Sequence, residues 1–214
     1  MTVSVPENHF ISHMMCSDCI VTERLILRRM TEKDAKDVLA LMSDDYTARM
    51  AGFRPISSIE EAIAFIDRWK GEYSFAVTER SDDRVIGIIQ TEVLMGLGYF
   101  DLRTDFVELG YLLSAEHRGK GYMTEVIGAL KEFFFEHYEK VGELQAHIFC
   151  GNEASRKVAL KCGFRPMYEE YRENVYSPYG TVESEETFSI LLEDYEWEKR
   201  GIPFYSTAER KAAA

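Results

Sequence analysis

Between Val107 and Lys131 the chain places an apolar strand, a polar turn with two glycines and a helical pattern in direct succession. The turn reads Ser114-Ala115-Glu116-His117-Arg118-Gly119-Lys120-Gly121. Gly119 and Gly121 let the backbone curl, so free N–H groups converge where the helix dipole is positive. Arg118 and Lys120 add formal charge at the same place. A phosphate-bearing ligand is the natural occupant. Two nucleotide patterns do not fit. The Walker arrangement is absent, and Thr124 stands where a dinucleotide fingerprint has its third glycine. Taken alone, two glycines would also suit an ordinary surface turn.

A second group adds weight. Asn152-Glu153-Ala154-Ser155 opens a helix directly after an apolar strand. Arg156, Lys157, Lys161 and Arg165 follow, with no acidic residue from 154 to 168. In a chain of net charge −12 this basic island points to an anion, although a solvated helix face carries such charges too. The two segments are expected to flank a cleft between two strands.

These groups need elements to position them. Residues 1–21 are expected to be an irregular arm, 22–200 the domain and 201–214 a tail. Arg24-Leu25-Ile26-Leu27-Arg28 alternates as a first strand. Thr31, with Asp34 three residues on, caps a helix whose apolar face is Ala35, Val38, Leu39 and Met42. A second helix is expected over Ser58–Lys70, with Ile59, Ala62, Ile63, Ile66 and Trp69 inward. Ser74–Glu79 and Arg84–Leu94 read as a hairpin around Ser81-Asp82-Asp83. A strand at Phe106–Leu113, a helix over 122–138 and a strand at Leu144–Phe149 come next. The helix from Asn152 to Cys162 is stopped by Gly163. Strands near Phe164–Tyr176 and Val182–Leu191 turn at Pro178-Tyr179-Gly180, and Leu192–Lys199 forms a terminal helix. The expected fold class is α/β (α+β): one domain with a mixed, mostly antiparallel sheet of about seven strands flanked by helices.

Composition sets the outer limits. The 214 residues, 46% hydrophobic, can bury a sizeable core. An acidic chain is a poor nucleic-acid partner and a better match for a cationic one. No apolar run approaches the roughly 20 residues of a membrane helix, and the first residues lack a secretory pattern, so the expected localisation is cytoplasmic. Cys16, Cys19, Cys150 and Cys162 are expected to be reduced thiols, the last two packed as small hydrophobes. His9, His13, Cys16 and Cys19 crowd into eleven residues rather than two separated pairs, so no metal is expected.

With these motifs in view, the chain resembles the GNAT superfamily of N-acetyltransferases, and within it the branch typified by the RimJ and RimL ribosomal-protein acetyltransferases. The matching residues are Thr22-Glu23-Arg24-Leu25-Ile26-Leu27-Arg28, then Val107-Glu108-Leu109-Gly110-Tyr111 with Gly119-Lys120-Gly121-Tyr122-Met123-Thr124-Glu125, then Asn152-Glu153-Ala154-Ser155 through Cys162-Gly163-Phe164. The resemblance runs from about residue 22 to 200. It implies that the two strands flanking the cleft splay apart and take the pantetheine arm of acetyl-CoA between them, like an added strand. Backbone groups of Tyr111, Leu112 and Leu113 would meet that arm. The turn Arg118, Gly119, Lys120, Gly121, Tyr122, Met123 and Thr124 would hold the pyrophosphate. Asn152 and Ser155 would reach the arm or the thioester sulfur. Homodimers are common in this family.

The resemblance also implies direct attack by a primary amine, of a protein N-terminus or a small molecule. Such an amine is protonated near neutral pH, so a base is needed. Glu108 is the candidate, on the strand face opposite Val107, Leu109, Tyr111 and Leu113. Apolar surroundings would raise its pKa, whereas an ordinary exposed carboxylate would sit in the same place. N–H groups near Leu112 would hold the developing oxyanion. Two positions depart from the superfamily pattern. Glu116 replaces a frequent Gln or Arg, and Ala159 replaces a tyrosine acid, which leaves Ser155 to assist the leaving thiolate. From Glu169 to Glu198 ten residues are acidic and only Arg172 is basic, which suits a cationic acceptor or simply a solvated face. Phe53, Trp69 and Tyr73 would line the acceptor side or pack in the core. The rival readings are a non-catalytic acetyl-CoA-binding module of the same fold and a nucleotide-dependent enzyme.

Overall fold

The computed structural model describes residues 14–16, 19–69, 74–95, 105–176 and 182–201. In chain order the elements are β1 (Met14–Cys16), β2 (Cys19–Val21), β3 (Leu25–Arg28), α1 (Ala35–Met42), α2 (Asp45–Met50), α3 (Ile59–Arg68), β4 (Phe75–Glu79), β5 (Asp82–Leu94), β6 (Asp105–Leu113), α4 (Tyr122–His137), β7 (Val141–Phe149), α5 (Glu153–Lys161), β8 (Arg165–Tyr176), β9 (Val182–Leu191) and α6 (Leu192–Lys199). The strands form one sheet in the order β1-β2-β3-β4-β5-β6-β7-β9-β8. Every neighbouring pair is antiparallel except β6 and β7, which the helix α4 connects in parallel.

Two features correct the expectations. The sheet has nine strands rather than about seven, because β2 pairs onto β3 and β1 onto β2. Ile20 is buried in the core, so the expected boundary at residue 22 cuts through the sheet. The short helix α2 was also unforeseen. Asp44 caps it by accepting the Thr47 N–H at 2.8 Å. The turn at 178–180, His9, His13, Lys70 and Tyr73 lie outside the described residues.

Two apolar layers hold the sheet. Leu25, Leu27, Val107, Leu109, Leu144 and Ile148 face α4, α5 and α6. Ala76, Ile88 and Leu112 face α1 and α3 on the other side. On α4 the residues Met123, Val126, Ile127, Leu130 and Phe134 recur every three or four positions and are buried. Cutting one of them to alanine would cost about 2–5 kcal/mol. Thr31 and Asp34 start the α1 region as expected, with the Asp34 carboxylate accepting the Thr31 N–H at 2.8 Å. Arg28 binds the same carboxylate at 2.8 Å. Burial pushes the Asp34 pKa up, but the bonds from Arg28 and Thr31 outweigh it and hold the group below the ordinary value. Phe53 meets Phe65 and Trp69 edge-on at 5.3 and 5.9 Å, which is core packing.

Candidate active site

The site begins where β6 and β7 part. They pair only from Asp105↔Val141 to Glu108↔Gln145. Beyond that, β6 runs on to Leu113 beside β5, and β7 runs on to Phe149 beside β9. The facing edges of Leu109–Leu113 and Ala146–Phe149 therefore have no strand between them. An extended ligand can pair with such an edge.

A cleft of about 420 Å³ opens on this split. Tyr111, Leu112, Leu113, Arg118, Gly119, Gly121, Tyr122, Met123, Thr124, Asn152 and Ser155 line it, as do Lys157 and Lys161. Gly119 and Gly121 have φ of 76° and 80°, a left-handed backbone that a β-branched residue resists. Gly121 is the N-cap of α4, and no side chain caps that helix. Its first N–H groups thus face the cleft with the helix dipole behind them.

Three expected residues behave differently from their assigned parts. Lys120 does not line the cleft. Flanked by two left-handed glycines, it sits at the crest of the turn with Nζ 5.8 Å from the Tyr122 ring centre. Arg118 lines the cleft, but it ties the turn down: Nε donates to the Leu113 carbonyl at 3.2 Å and Nη2 to Thr47 Oγ1 at 2.6 Å. Asn152 is the cap of α5, accepting the Ser155 N–H at 3.2 Å and donating to the Met50 carbonyl at 3.3 Å. That amide serves the fold first. Of the basic island, Arg156 pairs with Glu186 of β9 at 3.6 Å.

Tyr111 bridges the split, donating its hydroxyl to the Ser155 carbonyl at 3.1 Å. Burial pushes its pKa well above the ordinary phenol value, so it stays protonated. Ser155 uses its N–H on Asn152 and its carbonyl on Tyr111, which leaves the hydroxyl for a ligand.

A second cavity, of about 190 Å³, lies on the far side of Ser155. It shares Met50, Ala51, Tyr111, Asn152 and Ser155 with the first and adds Gln90, Glu108, His147, Phe149 and Glu185. Glu108 lies opposite the buried Val107 and Leu109, as the alternation requires. Its surroundings are not apolar. The carboxylate is 41% exposed, and His147 Nε2 stands 3.8 Å from Oε2.

Two residue sets were missed from the sequence. Thr22 and Arg24 clamp the start of α4 through Glu125: Thr22 Oγ1 donates at 2.5 Å, the Arg24 N–H at 2.8 Å and Arg24 Nε at 2.7 Å. Arg24 Nη1 also donates to the Lys120 carbonyl at 2.9 Å. Burial pushes Glu125 up, and these bonds overcome it to leave its pKa lowered. The signal existed, since both ends fall in the quoted motifs, but nothing in one dimension joins residues a hundred positions apart. His147 is the other omission. Nothing in its strand marks it until β6 and β9 are beside it.

Cys162 is buried in the core, and burial pushes its thiol up to about 11. Cys150 is exposed, contrary to expectation, because it follows β7 into a turn. No group of metal-binding residues occurs among the described residues, and no described helix is long and apolar enough to cross a membrane.

Two adjoining cavities, one beside the glycine turn and one holding Glu108, thus open where β6 and β7 part. The acetyltransferase (GNAT) domain family matches residues 24–165. The chain belongs to this family and is an acetyltransferase of the GNAT type. The uncharacterized N-acetyltransferase YoaA of Bacillus subtilis (strain 168) is 31% identical over 168 residues, 75% of this chain and 91% of that protein. Two solved structures share the fold. RimL, a ribosomal L7/L12 alpha-N-protein acetyltransferase in complex with coenzyme A, has a TM-score of 0.67 at 15% identity, covering 81% of this chain and 97% of that one. Spermidine N-acetyltransferase from Vibrio cholerae, in complex with CoA and spermine, has a TM-score of 0.65 at 17% identity, covering 80% and 98%.

Proposed function

We propose that the chain transfers the acetyl group of acetyl-CoA to a primary amine by direct attack, as in the RimJ/RimL-like branch. The carrying observation is that two cavities, one with an anion cradle and one with a carboxylate, meet at Ser155. The larger fits acetyl-CoA. The glycine turn and the N–H groups of α4 would hold its phosphates, and the open edge of β6 would pair with its amide arm. The relatives bound to CoA support that reading. The smaller cavity would take the amine. Glu108 accepts a proton from the ammonium form, which frees the nitrogen lone pair to attack the thioester carbonyl. N–H groups on the β6 edge stabilise the charge growing on that oxygen. The Ser155 hydroxyl donates to the departing sulfur. Cys162 is no candidate for a covalent route, since burial pushes its thiol up to about 11 and keeps it protonated near neutrality.

The test follows CoA thiol release with three amines: a peptide with a free α-amine, spermidine and an aminoglycoside. Acceleration by one or more of them is expected. Binding of acetyl-CoA with no acceleration would mean a non-catalytic module, and absence of binding would sink the cleft assignment.

A further inference from the structure

The mechanism above uses Glu108 and leaves its neighbour unexplained. His147 sits on β7 at the point where the strand leaves β6. Its side chain is only 8% exposed. On one side Nδ1 lies 3.0 Å from the hydroxyl of Thr187, itself fully buried on β9. On the other, Nε2 points to Glu108 across 3.8 Å. An ionised carboxylate can only accept, which favours the neutral tautomer with hydrogen on Nε2; in that tautomer Nδ1 accepts from the Thr187 hydroxyl.

We propose that His147 is a positioning residue for Glu108, holding the carboxylate ionised and aimed into the acceptor cavity, with Thr187 fixing the ring that does so. The inference rests on the reading of Glu108 as proton acceptor. A gap of 3.8 Å is an electrostatic contact rather than a hydrogen bond; catalytic contacts commonly tighten when substrate binds. A buried imidazole is a demanding neighbour for a carboxylate, since its N–H needs an acceptor. The other charged group lining this cavity is Glu185 of β9, and Glu92 of β5 stands directly opposite Glu108 in the antiparallel register. Further along β7, Glu143 is engaged by Gln145 Nε2 at 2.8 Å and Ser189 Oγ at 2.6 Å. From α2, α5 and their ends the cavity receives Met50, Ala51, Gly52, Asn152 and Ser155, which carry no charge.

Two readouts test the proposal, and the first needs no acceptor. Imidazole nitrogen NMR of the full chain, with the His147 signal assigned through His147→Gln, reports its tautomer and titration. We expect hydrogen on Nε2 in the neutral form. We also expect the midpoint to fall by about half a pH unit or more in Glu108→Gln, because the attraction that favours the charged ring is gone. Hydrogen on Nδ1, or an unmoved midpoint, overturns the proposal whatever Glu108 does in catalysis. The second readout is kcat/KM against pH, with the peptide amine as probe. His147→Ala should lower it about tenfold and move the acid limb to higher pH, since Glu108 loses the partner that keeps it ionised. His147→Gln, which can still donate toward Glu108, should recover most of the rate. Thr187→Val should move the limb the same way by less. A loss that is equal at every pH and not rescued by Gln marks a merely structural residue and overturns the proposal. Full activity of Glu108→Gln instead removes Glu108 as base, and the NMR result still reports whether the two side chains are coupled.

Discussion

The two cavities meeting at Ser155 are built by different means. On the side proposed for acetyl-CoA the shape comes from the backbone: two left-handed glycines, an uncapped helix start and a bare strand edge, all between Leu109 and Thr124. The clamp of Thr22 and Arg24 on Glu125 only steadies it. On the side proposed for the acceptor the groups are side chains brought from four strands: Gln90 of β5, Glu108 of β6, His147 of β7 and Glu185 of β9. In the proposed reading, backbone features bind the part common to every acetyl-CoA. Side chains can change one at a time without moving the sheet, so the acceptor can differ between members of one fold.

The contrast can be broken most sharply at Glu108. Glu108→Gln should lower turnover by about a hundredfold, with calorimetry showing unchanged acetyl-CoA affinity. Loss of affinity as well would mean that the two sides are not separate. Gly121→Val should do the opposite. The new side chain must sit at a φ of 80° with Arg24 Nη2 3.5 Å from its Cβ, so affinity should fall by about tenfold or more through lost turn geometry. Unchanged affinity would remove the glycine turn from phosphate binding. Gly119→Ala is the milder probe, because its Cβ meets nothing within 4 Å and only the backbone strain remains. The smallest effect is expected at the clamp. The Glu125 pKa is lowered, so its stabilisation is present above the ordinary value of 4.5 and fades as pH falls through the lower folded value. Glu125→Gln should cost about 1 kcal/mol in denaturant unfolding at pH 7 and less near pH 3. An equal loss at both pH values would mean that charge is not what holds the clamp.

Much of this was legible before folding because it is local. The alternation around Leu25 and Leu27, the three-to-four spacing on α4 and the cap at Asn152 each depend on residues a few positions apart. So does the glycine turn. The pairing of β1 and β2 was missed because three-residue strands have little pattern of their own, and they take their register from β3. Lys120 and Arg118 were read as charge, and the fold uses Arg118 as a brace and seats Lys120 over a ring. A formal charge says nothing of the direction in which its side chain leaves the backbone.

By itself, then, the sequence determined most of the helices and strands, the glycine turn and the family, since periodicity, glycine conformation and motif spacing act over short stretches of chain. Only the tertiary structure decided where β6 and β7 separate, that His147 faces Glu108, and that Thr22 and Arg24 reach Glu125. Those contacts arise from strand register and from packing between segments 39 to 103 residues apart, and no local preference encodes such a meeting.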